Sequence, residues 1–328
     1  MKKVVFRYLS QEDIMDLDIS WDSIIKRIEV AVSEQAKGTI ENPPKRGIHT
    51  RGNAFIHEMP VHLQKADICG IKWVSGYPDN YKYELPQILG LQIMNCPVTG
   101  VPTAVMDCRW ITAVRTAAAT AVTAKHCARK NTKSIGIIGA GVQGKMHLEV
   151  LKKVLPSITA CKVYDVKDNV LNDFAERMPA KAQVDVYPQK SVEDAVTDVD
   201  MIITCTQKLP HPIIPDWAMK PGMMGVGIEA GRAWPAEIIH GCDKVVTDDI
   251  AQTSSYATTG AFAGGIPSFY CQLGDLVNGK PGRETEEERI MVFNLGIAAC
   301  DISLGQLVVE RAEEKNAGIN LTLMERDF

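Results

Sequence analysis

The sequence predicts an α/β fold in which a doubly wound parallel sheet follows a smaller α+β unit. Three observations support this prediction. From Ile135 onward, short apolar runs alternate with helical segments, as in a parallel sheet with helices on both faces. The first of these runs leads into a glycine-rich turn at Gly139. Before it, short segments of β character are separated by turn signals, which indicates a small antiparallel or mixed sheet with a helix or two.

The first third of the chain begins with a predicted strand over residues 4–9. A capping box follows, with Ser10 as the N-cap and Asp13 at the third helical position. Apolar residues recur at helical spacing after Trp21, which predicts an amphipathic helix over residues 21–37, ended by Gly38 and the Asn42-Pro-Pro loop. Segments of β character then follow around residue 48 and over residues 54–59, 69–74, 88–94 and 101–107.

An alanine- and threonine-rich run over residues 112–128 contains no Gly or Pro and predicts a long helix that leads into the second part of the chain. Strands are then expected over residues 135–138, 162–164, 184–187, 201–205, 224–228 and 244–246. Helices are expected after the glycine turn and over residues 170–178 and 192–196. The charged residues 283–289 open a last predicted helical region over residues 286–315, which ends in a polar tail.

Length and composition limit the classes of protein that fit. The chain has 328 residues, which corresponds to two domains of ordinary size. Hydrophobic residues make up 45%, charged residues 23%, and the formal net charge is −4, so there is no electrostatic reason to expect nucleic acid or an anionic membrane as a partner. No apolar run reaches the about 18 residues needed to span a bilayer. We therefore expect a cytoplasmic protein that binds a small molecule.

The cysteines give no sign of a disulfide framework or a metal site. There are nine, an odd number, and no two have the CxxC spacing of a zinc ligand pair. Most lie in apolar surroundings, which is typical of reduced thiols in a core. We expect no bound metal.

The glycine-rich turn has the pattern of a dinucleotide site. The apolar run Ile135 to Ile138 leads into Gly139, Ala140, Gly141, Val142, Gln143 and Gly144, and a helical segment follows. In this pattern the first glycine permits the turn, the second lets the backbone approach a pyrophosphate, and the third allows close packing of the helix on its strand. Asp165 ends the next apolar run, where a carboxylate accepts hydrogen bonds from a ribose 2′-hydroxyl and repels a 2′-phosphate. The turn therefore predicts a Rossmann domain that prefers NAD to NADP, although Lys162 and Lys167 lie nearby.

Four motifs in order give the sequence a family resemblance. They are Thr99-Gly-Val-Pro, Arg115-Thr-Ala-Ala, the glycine turn, and the segment from Gly274 to Arg283, which reads Gly-Asp-Leu-Val-Asn-Gly-Lys-Pro-Gly-Arg. With these motifs the chain resembles the ornithine cyclodeaminase/μ-crystallin family over essentially its whole length. The resemblance implies a substrate-binding and dimerisation domain over residues 1–116 and 298–328, an NAD-binding domain over residues 117–297, and a homodimer.

The same resemblance assigns a substrate site. The carboxylate-binding arginine of the family falls on Arg46, its active-site lysine on Lys72, and a second arginine on Arg115, with Met59 also at the substrate. A guanidinium can make two charge-assisted hydrogen bonds to a carboxylate, which suits an α-amino or α-imino acid. Each cation also has a structural interpretation: a solvated loop charge for Arg46, a strand lysine that reaches solvent for Lys72, and a helix-face charge for Arg115.

The catalytic carboxylate of the family is usually an aspartate, and here Glu229 occupies that position after the strand that follows Lys220-Pro-Gly. A carboxylate suits proton transfer at an amine or imine. The extra methylene changes its reach, which argues against a simple transfer of ornithine cyclisation to this chain. The structural alternative is that Glu229 caps the edge of the sheet.

Further cofactor contacts are expected at the rim of the predicted sheet and near Arg115. Thr116, taken to lie near the start of its helix, is expected to contact a cofactor phosphate, and Thr99 is expected to contact the cofactor through its motif. The remaining cofactor residues are Arg115, Thr204, Cys205, Thr206 and Gly227. His147 and His211 are interpreted as structural or solvated. The stretch from Gly260 to Gly264 is either a loop that moves over the site or an ordinary loop.

Together these features predict an NAD(H)-dependent oxidoreductase that acts on the CH–NH bond of a small α-amino or α-imino acid. Two alternatives stay open. In a cyclodeaminase, such as one that converts L-ornithine to L-proline, ammonia leaves and there is no net redox change. In a non-catalytic, crystallin-like protein, the nucleotide site would serve ligand binding alone.

Overall fold

The computed structural model describes residues 3–326 and divides into two units. Unit 1 comprises residues up to Arg115 together with those from Ile297 onward, and unit 2 comprises Thr116–Gly296. The strands are β1 (Val4–Leu9), β2 (Ile40–Glu41), β3 (Arg46–Ile48), β4 (Phe55–Leu63), β5 (Ile68–Gly76), β6 (Ile88–Asn95), β7 (Pro102–Asp107), β8 (Ser134–Ile138), β9 (Ala160–Tyr164), β10 (Asp185–Pro188), β11 (Met201–Thr204), β12 (Met224–Gly227), β13 (Lys244–Thr247), β14 (Cys271–Gln272), β15 (Ile290–Phe293) and β16 (Ile319–Met324). The helices are α1 (Gln11–Met15), α2 (Trp21–Ala36), α3 (Arg109–Cys127), α4 (Val142–Val154), α5 (Asp168–Ala182), α6 (Val192–Val196), α7 (Ala236–Gly241), α8 (Ile250–Ser254), α9 (Leu273–Val277) and α10 (Ala298–Lys315).

Unit 1 is built on a mixed sheet with strand order β16-β1-β7-β6-β5-β4-β2, and β3 pairs with the beginning of β4. Neighbouring strands are antiparallel except for β1 and β7, which are parallel. Helix α10 packs on β4, β5 and β6 and also against α2. Side chains alternate between the two faces of a strand, so Lys72 and Val74 of β5 are buried on the helix side.

The other face of the unit 1 sheet carries exposed apolar side chains, and we refer to it as the open face. Cross-strand register places the residues concerned on the same side of the sheet. The large exposed ones are Trp73, Leu91, Ile319 and Leu321.

Unit 2 is a parallel sheet with strand order β10-β9-β8-β11-β12-β15-β13-β14. Strands β11, β12, β13 and β15 are buried along their whole length. Such continuous burial is expected when helices cover both faces of a parallel sheet. The α/β fold class predicted from the sequence is therefore confirmed.

Local signals in the first third of the chain identified its helices correctly. The amide of Asp13 donates to Ser10 Oγ at 3.1 Å, and the Asp13 carboxylate accepts from the Ser10 amide at 2.8 Å, so the predicted capping box is formed. The amphipathic helix spans Trp21–Ala36 and buries Ile24, Ile28 and Val32.

Two predictions about secondary structure were wrong, and one strand was not predicted. The helix predicted over residues 286–315 is instead β15 followed by α10, because the apolar run Ile290–Phe293 forms a fully buried strand between β12 and β13. Periodicity does not separate a short buried strand from a buried helix. The polar tail contains β16, which pairs with β1. Helix α3 begins at Arg109, so Thr116 lies in its interior and not near its start.

Within residues 3–326, no helix combines the length and the apolar character needed to cross a membrane. The same residues contain no group of three or more His, Cys, Asp or Glu side chains arranged to hold a metal ion. The nine cysteines are free thiols, five of them buried.

Candidate active site

The glycine turn joins β8 to α4, and its three glycines face different surroundings. Gly139 has a φ of +108°, and a Cβ there would lie 2.5 Å from the carbonyl oxygen of Cys205. A Cβ on Gly144 would lie 2.3 Å from the carbonyl oxygen of Gly139, so this glycine lets α4 pack against the turn. A Cβ on Gly141 would have no atom within 4 Å. Packing therefore explains Gly139 and Gly144, whereas Gly141 borders open space that a ligand can approach.

The carboxylate of Asp165 lies on this turn. Its Oδ2 accepts a hydrogen bond from the Ala140 amide at 2.8 Å, and its Oδ1 accepts from the Lys167 amide at 2.9 Å. The Lys162 ammonium donates to the carbonyl of Thr197 at 2.7 Å, so its charge is engaged by the backbone there. Two backbone amides therefore fix the Asp165 carboxylate against the glycine turn, just after the end of β9.

The carboxyl end of the unit 2 sheet carries a hydrogen-bonded chain of three side chains. The indole N–H of Trp234 donates to Thr204 Oγ1 at 3.0 Å, and Thr204 Oγ1 donates to Glu229 Oε1 at 2.6 Å. Trp234 and Thr204 are completely buried. Trp234 is not among the residues predicted from the sequence, because it lies five positions after Glu229 and no local pattern connects the two.

Glu229 has the electrostatics of a proton carrier. Its Oε2 is buried and has no hydrogen-bond partner among the described residues. Burial raises the pKa of this carboxyl from 4.5 to about 8, and the hydrogen bond from Thr204 offsets part of that rise. At neutral pH most of the carboxyl groups are therefore protonated. The neutral acid can donate a proton, and its ionised form can accept one.

The other predicted cofactor residues of unit 2 lie around the same edge. Val142 is exposed at the first position of α4, and Gln143 is partly buried in the same turn. Cys205 and Thr206 follow β11 and are partly buried, and burial raises the pKa of the Cys205 thiol well above its ordinary value. A Cβ on Gly227 would lie 2.5 Å from the Ala230 carbonyl, so packing alone accounts for this glycine.

In unit 1, two of the predicted substrate cations share a buried carboxylate. Lys72 Nζ lies 2.7 Å from Asp301 Oδ2, and Arg115 Nε donates to Asp301 Oδ1 at 3.0 Å. Lys72 is 1% exposed, Asp301 0% and Arg115 7%, so Lys72 is not a strand lysine that reaches solvent. Burial lowers the pKa of Lys72 to about 8, against the opposing effect of Asp301.

Asp301 holds this cluster in place and was missed by the sequence analysis. It is the acid within the apolar first turns of α10, and such an isolated charge in a buried helical stretch is a signal that could have found it. Its backbone carbonyl accepts a hydrogen bond from the side-chain Nε2 of Gln92 at 3.1 Å, which connects α10 to β6. The cluster of Lys72, Asp301 and Arg115 carries one net positive charge when Lys72 is protonated.

The remaining predicted residues of unit 1 differ in their relation to this cluster. Met59 is buried and is the cross-strand neighbour of Lys72. Arg46 is exposed on β3, in register with Glu58, so the alternation of the strand places it on the face opposite to Lys72. Thr99 lies in the exposed turn between β6 and β7, and Thr116 is buried in α3. The structure brings Met59, Lys72 and Arg115 together and does not bring Arg46 to them.

The histidines that the sequence analysis interprets as structural or solvated have different surroundings. His147 is completely buried in α4, where its ring nitrogens lie 2.8 Å from the Gln143 carbonyl and 3.0 Å from Thr120 Oγ1. Burial lowers its pKa to about 4, so the imidazole is neutral at physiological pH. His211 is exposed. In the Gly260 loop, the carbonyls of Thr259 and Gly260 accept hydrogen bonds from Arg232.

Three features of the structure together define a class of protein. They are a parallel sheet with a glycine turn of the dinucleotide-binding type, a mixed sheet on which the last long helix packs, and a buried lysine–arginine pair. Residues 5–316 match the ornithine cyclodeaminase/mu-crystallin family, and the chain belongs to that family.

Particular relatives are similar over nearly their whole length. The nodulation efficiency protein NfeD of Rhizobium meliloti is 35% identical over 95% of this chain and 97% of its own. The structure of Thermococcus litoralis Δ1-pyrroline-2-carboxylate reductase in complex with NADH and L-proline has a TM-score of 0.87 at 30% identity and covers 96% of this chain and 100% of its own. An archaeal alanine dehydrogenase dimer with bound NAD has a TM-score of 0.88 at 30% identity, with coverage of 98% and 100%.

Proposed function

We propose that the protein is an NAD(H)-dependent oxidoreductase that acts on the CH–NH bond of a small α-amino or α-imino acid. The observation that carries the proposal is the position and the pKa of Glu229. This side chain lies where the strands of the parallel sheet of unit 2 end, beside the glycine turn's edge of that sheet, and its pKa is about 8. Reduction of an imine needs a hydride at carbon and a proton at nitrogen. The similar reductase and dehydrogenase structures were determined with NADH and NAD, which supports the same cofactor here.

The residues present fit a dinucleotide. The open space at Gly141 suits the close approach of a pyrophosphate, and the amides that begin α4 can donate to it. Asp165 would hold the ribose hydroxyls, and its negative charge disfavours the 2′-phosphate of NADP. When bound, the nicotinamide supplies or accepts the hydride at Cα of the substrate.

The cluster around Asp301 supplies a site for the α-carboxylate. Lys72 and Arg115 are held by Asp301 and keep one net positive charge, which a single carboxylate can neutralise. Because the two cations are already positioned, little side-chain entropy is lost when the substrate binds. Arg46 lies on the opposite face of the sheet and is not part of this site.

Glu229 would move the proton at nitrogen. In the reductive direction the neutral carboxyl donates its proton to the imine nitrogen while Cα gains the hydride, and the products are the amino acid and the oxidised cofactor. In the oxidative direction the carboxylate accepts that proton. Thr204 can serve both states, because its hydroxyl lies 2.6 Å from Glu229 Oε1 and 3.3 Å from the Val226 carbonyl and can donate to either.

A pH–rate profile tests the role of Glu229. We expect kcat/KM for imine reduction to be maximal below pH 8 and to fall above it, and we expect Thr204→Val to move that fall to higher pH because a bond to the carboxylate is lost. An unchanged profile in Glu229→Gln would refute the assignment.

The overall activity is tested by mixing the protein with NADH and candidate imino acids and following both NADH absorbance and ammonia. One NADH consumed per amino acid formed is the expected result. Release of ammonia from L-ornithine or L-lysine with no net change in NADH would instead identify a cyclodeaminase. Binding of NADH without turnover of any substrate would identify a crystallin-like binding protein.

We also propose a homodimer formed through the open face of unit 1. Trp73 and Leu91 are exposed cross-strand neighbours on this face, and Ile319 and Leu321 are exposed on its edge strand β16. Exposed apolar side chains that gather on one face mark protein contacts. The archaeal alanine dehydrogenase structure is a dimer, which supports the same state here.

Light scattering tests the proposed dimer. It should give twice the chain mass for the wild type and the mass of one chain for the double variant Leu91→Asp with Leu321→Asp. Met15→Asp, on exposed α1, is the control and should stay dimeric. The cytoplasmic location stays a prediction.

A further inference from the structure

A row of four buried side chains crosses the unit 1 sheet on the side that faces α10. Strand register places Met59 of β4, Lys72 of β5, Gln92 of β6 and Met106 of β7 opposite one another. Each is at most 4% exposed. Lys72 has a buried carboxylate as its partner, and the methionines are apolar. Gln92 is therefore the polar member of the row whose burial needs an explanation.

The carboxamide of Gln92 reaches the backbone of α10. Its Nε2 donates to the Asp301 carbonyl at 3.1 Å and lies 3.4 Å from Met94 Sδ. A carbonyl can only accept, which fixes the nitrogen of the carboxamide on this side and its oxygen on the other. Asp301 is thereby bound to two neighbouring strands, through its carbonyl to Gln92 of β6 and through its carboxylate to Lys72 of β5.

Gly305 makes room for this contact. It lies one helical turn after Asp301, and in an α-helix the amide at this position donates to the same carbonyl that Gln92 reaches. A Cβ on Gly305 would lie 1.7 Å from Nε2 and 2.9 Å from Cδ of Gln92. Any other residue would therefore displace the carboxamide. Because glycine inside a helix is unfavourable relative to alanine, this close approach accounts for its presence in α10.

The oxygen of the same carboxamide indicates that Gln92 does not serve stability alone. Gln92 Oε1 is buried and has no hydrogen-bond partner among the described residues. An unpaired buried oxygen is unfavourable, whereas an apolar side chain of similar volume would fill the same space without that cost. What glutamine adds over such a side chain is the hydrogen bond to the Asp301 carbonyl. This bond fixes the turn of α10 whose carboxylate holds Lys72 and Arg115.

We propose that Gln92 is a positioning residue for the α-carboxylate site. It acts through Asp301, which holds the two cations of that site, and Gly305 provides the space that it needs. Without the bond from Gln92, α10 can shift on the sheet, which lengthens the contact of 2.7 Å between Asp301 Oδ2 and Lys72 Nζ. The inference rests on the proposed function for its ligand, an α-carboxylate, whereas the effect on Lys72 is a property of the free protein.

Steady-state kinetics with NADH, pyruvate and saturating ammonium test this role. Gln92→Met keeps the volume of the side chain and removes the donor, and Gly305→Ala displaces the carboxamide from Asp301. We expect both to raise KM for pyruvate at least about tenfold and to lower kcat much less, because a charge-assisted contact to the carboxylate is weakened. Met106→Leu, in the same buried row, is the matched control and should keep the wild-type KM. Gln92→Met should melt at or above the wild-type temperature, because an unpaired oxygen is removed.

The titration of Lys72 tests the positioning without any substrate. Burial lowers the pKa of Lys72 to about 8, and among the charged and titratable groups around it Asp301 and Cys108 raise this pKa whereas Arg115 lowers it. The titration is followed by NMR of protein labelled with carbon-13 at the lysine Cε, in which Lys72→Met assigns the signal. In Gln92→Met the pKa should fall by about half a pH unit or more, because the carboxylate is held less closely.

Three results would overturn the positioning role. The first is a wild-type KM and a wild-type lysine titration in both Gln92→Met and Gly305→Ala. The second is a lower melting temperature of Gln92→Met with both values unchanged, which would show that this residue only packs the core. The third is an equal rise of KM in Met106→Leu. If the wild type does not oxidise NADH with pyruvate and ammonium, that result counts against the proposed function, and the lysine titration decides the positioning role by itself.

Discussion

Replacement of Glu229 by glutamine should change how the stability of the protein depends on pH. The folded protein holds a proton on this carboxyl up to pH about 8, whereas an ordinary glutamate loses it at pH 4.5. Since the folded pKa is the higher one, the stability linked to this group is fully present below pH 4.5 and is lost as the pH rises through about 8.

The magnitude follows from the displacement of the pKa. Between pH 4.5 and about 8, the group lowers the free energy of unfolding by about 1.4 kcal/mol per pH unit, which gives about 5 kcal/mol in total as an upper value. Glutamine has no proton to lose. We therefore expect Glu229→Gln to gain about 3–5 kcal/mol relative to the wild type between pH 5 and pH 8.5.

Urea unfolding at a series of pH values measures this difference. Tryptophan fluorescence reports the unfolding, because Trp234 is buried and is connected to Glu229 by hydrogen bonds through Thr204. Glu237→Gln removes an exposed carboxylate from α7 and serves as the control, for which the difference from wild type should stay flat. If the wild type and Glu229→Gln gave parallel curves from pH 5 to pH 8.5, the buried, protonated carboxyl would be refuted.

Three further predictions concern the cofactor turn and the buried cations. Gly141→Val should fold normally, because a Cβ at this position meets open space, but it should weaken NADH binding at least about tenfold in fluorescence titrations. Gly144→Val should instead lower the melting temperature, because a Cβ at this position meets the backbone of Gly139. Asp165→Ser should lower the preference of kcat/KM for NADH over NADPH, and an unchanged preference would remove Asp165 from the ribose site. Asp301→Asn should lower the free energy of unfolding by about 3–5 kcal/mol in urea titrations, because two buried cations lose their partner, and a change below about 1 kcal/mol would contradict the buried cluster.

The sequence was most informative where chemistry is local. The turn from Gly139 to Gly144 requires particular backbone angles and close contacts, and those requirements are visible in the residue types themselves. The capping box at Ser10 is local in the same sense. Long apolar periodicity likewise identified α2 and the alternation of strands and helices in unit 2.

The sequence was less informative where partners are distant along the chain. Asp301 meets Lys72 across more than two hundred residues, and no spacing rule connects them. The hydrogen bond from Trp234 through Thr204 to Glu229 depends on how two parallel strands lie side by side. The sheet face on which Arg46 lies depends on the register between β3 and β4, and a register shift of one residue would place Arg46 on the other face. The sequence predicts helix at the buried strand Ile290–Phe293, because a run of four apolar residues fits both structures.

The proposed function is tested most directly by the stoichiometry of the reaction. The protein is mixed with NADH and an α-imino acid formed from a 2-oxo acid and ammonium, and NADH, ammonia and amino acid are measured together. We predict one NADH oxidised and one amino acid formed per imine consumed, with Glu229→Gln strongly impaired. Ammonia released from a diamino acid with catalytic NAD and no net change in NADH would contradict the proposal.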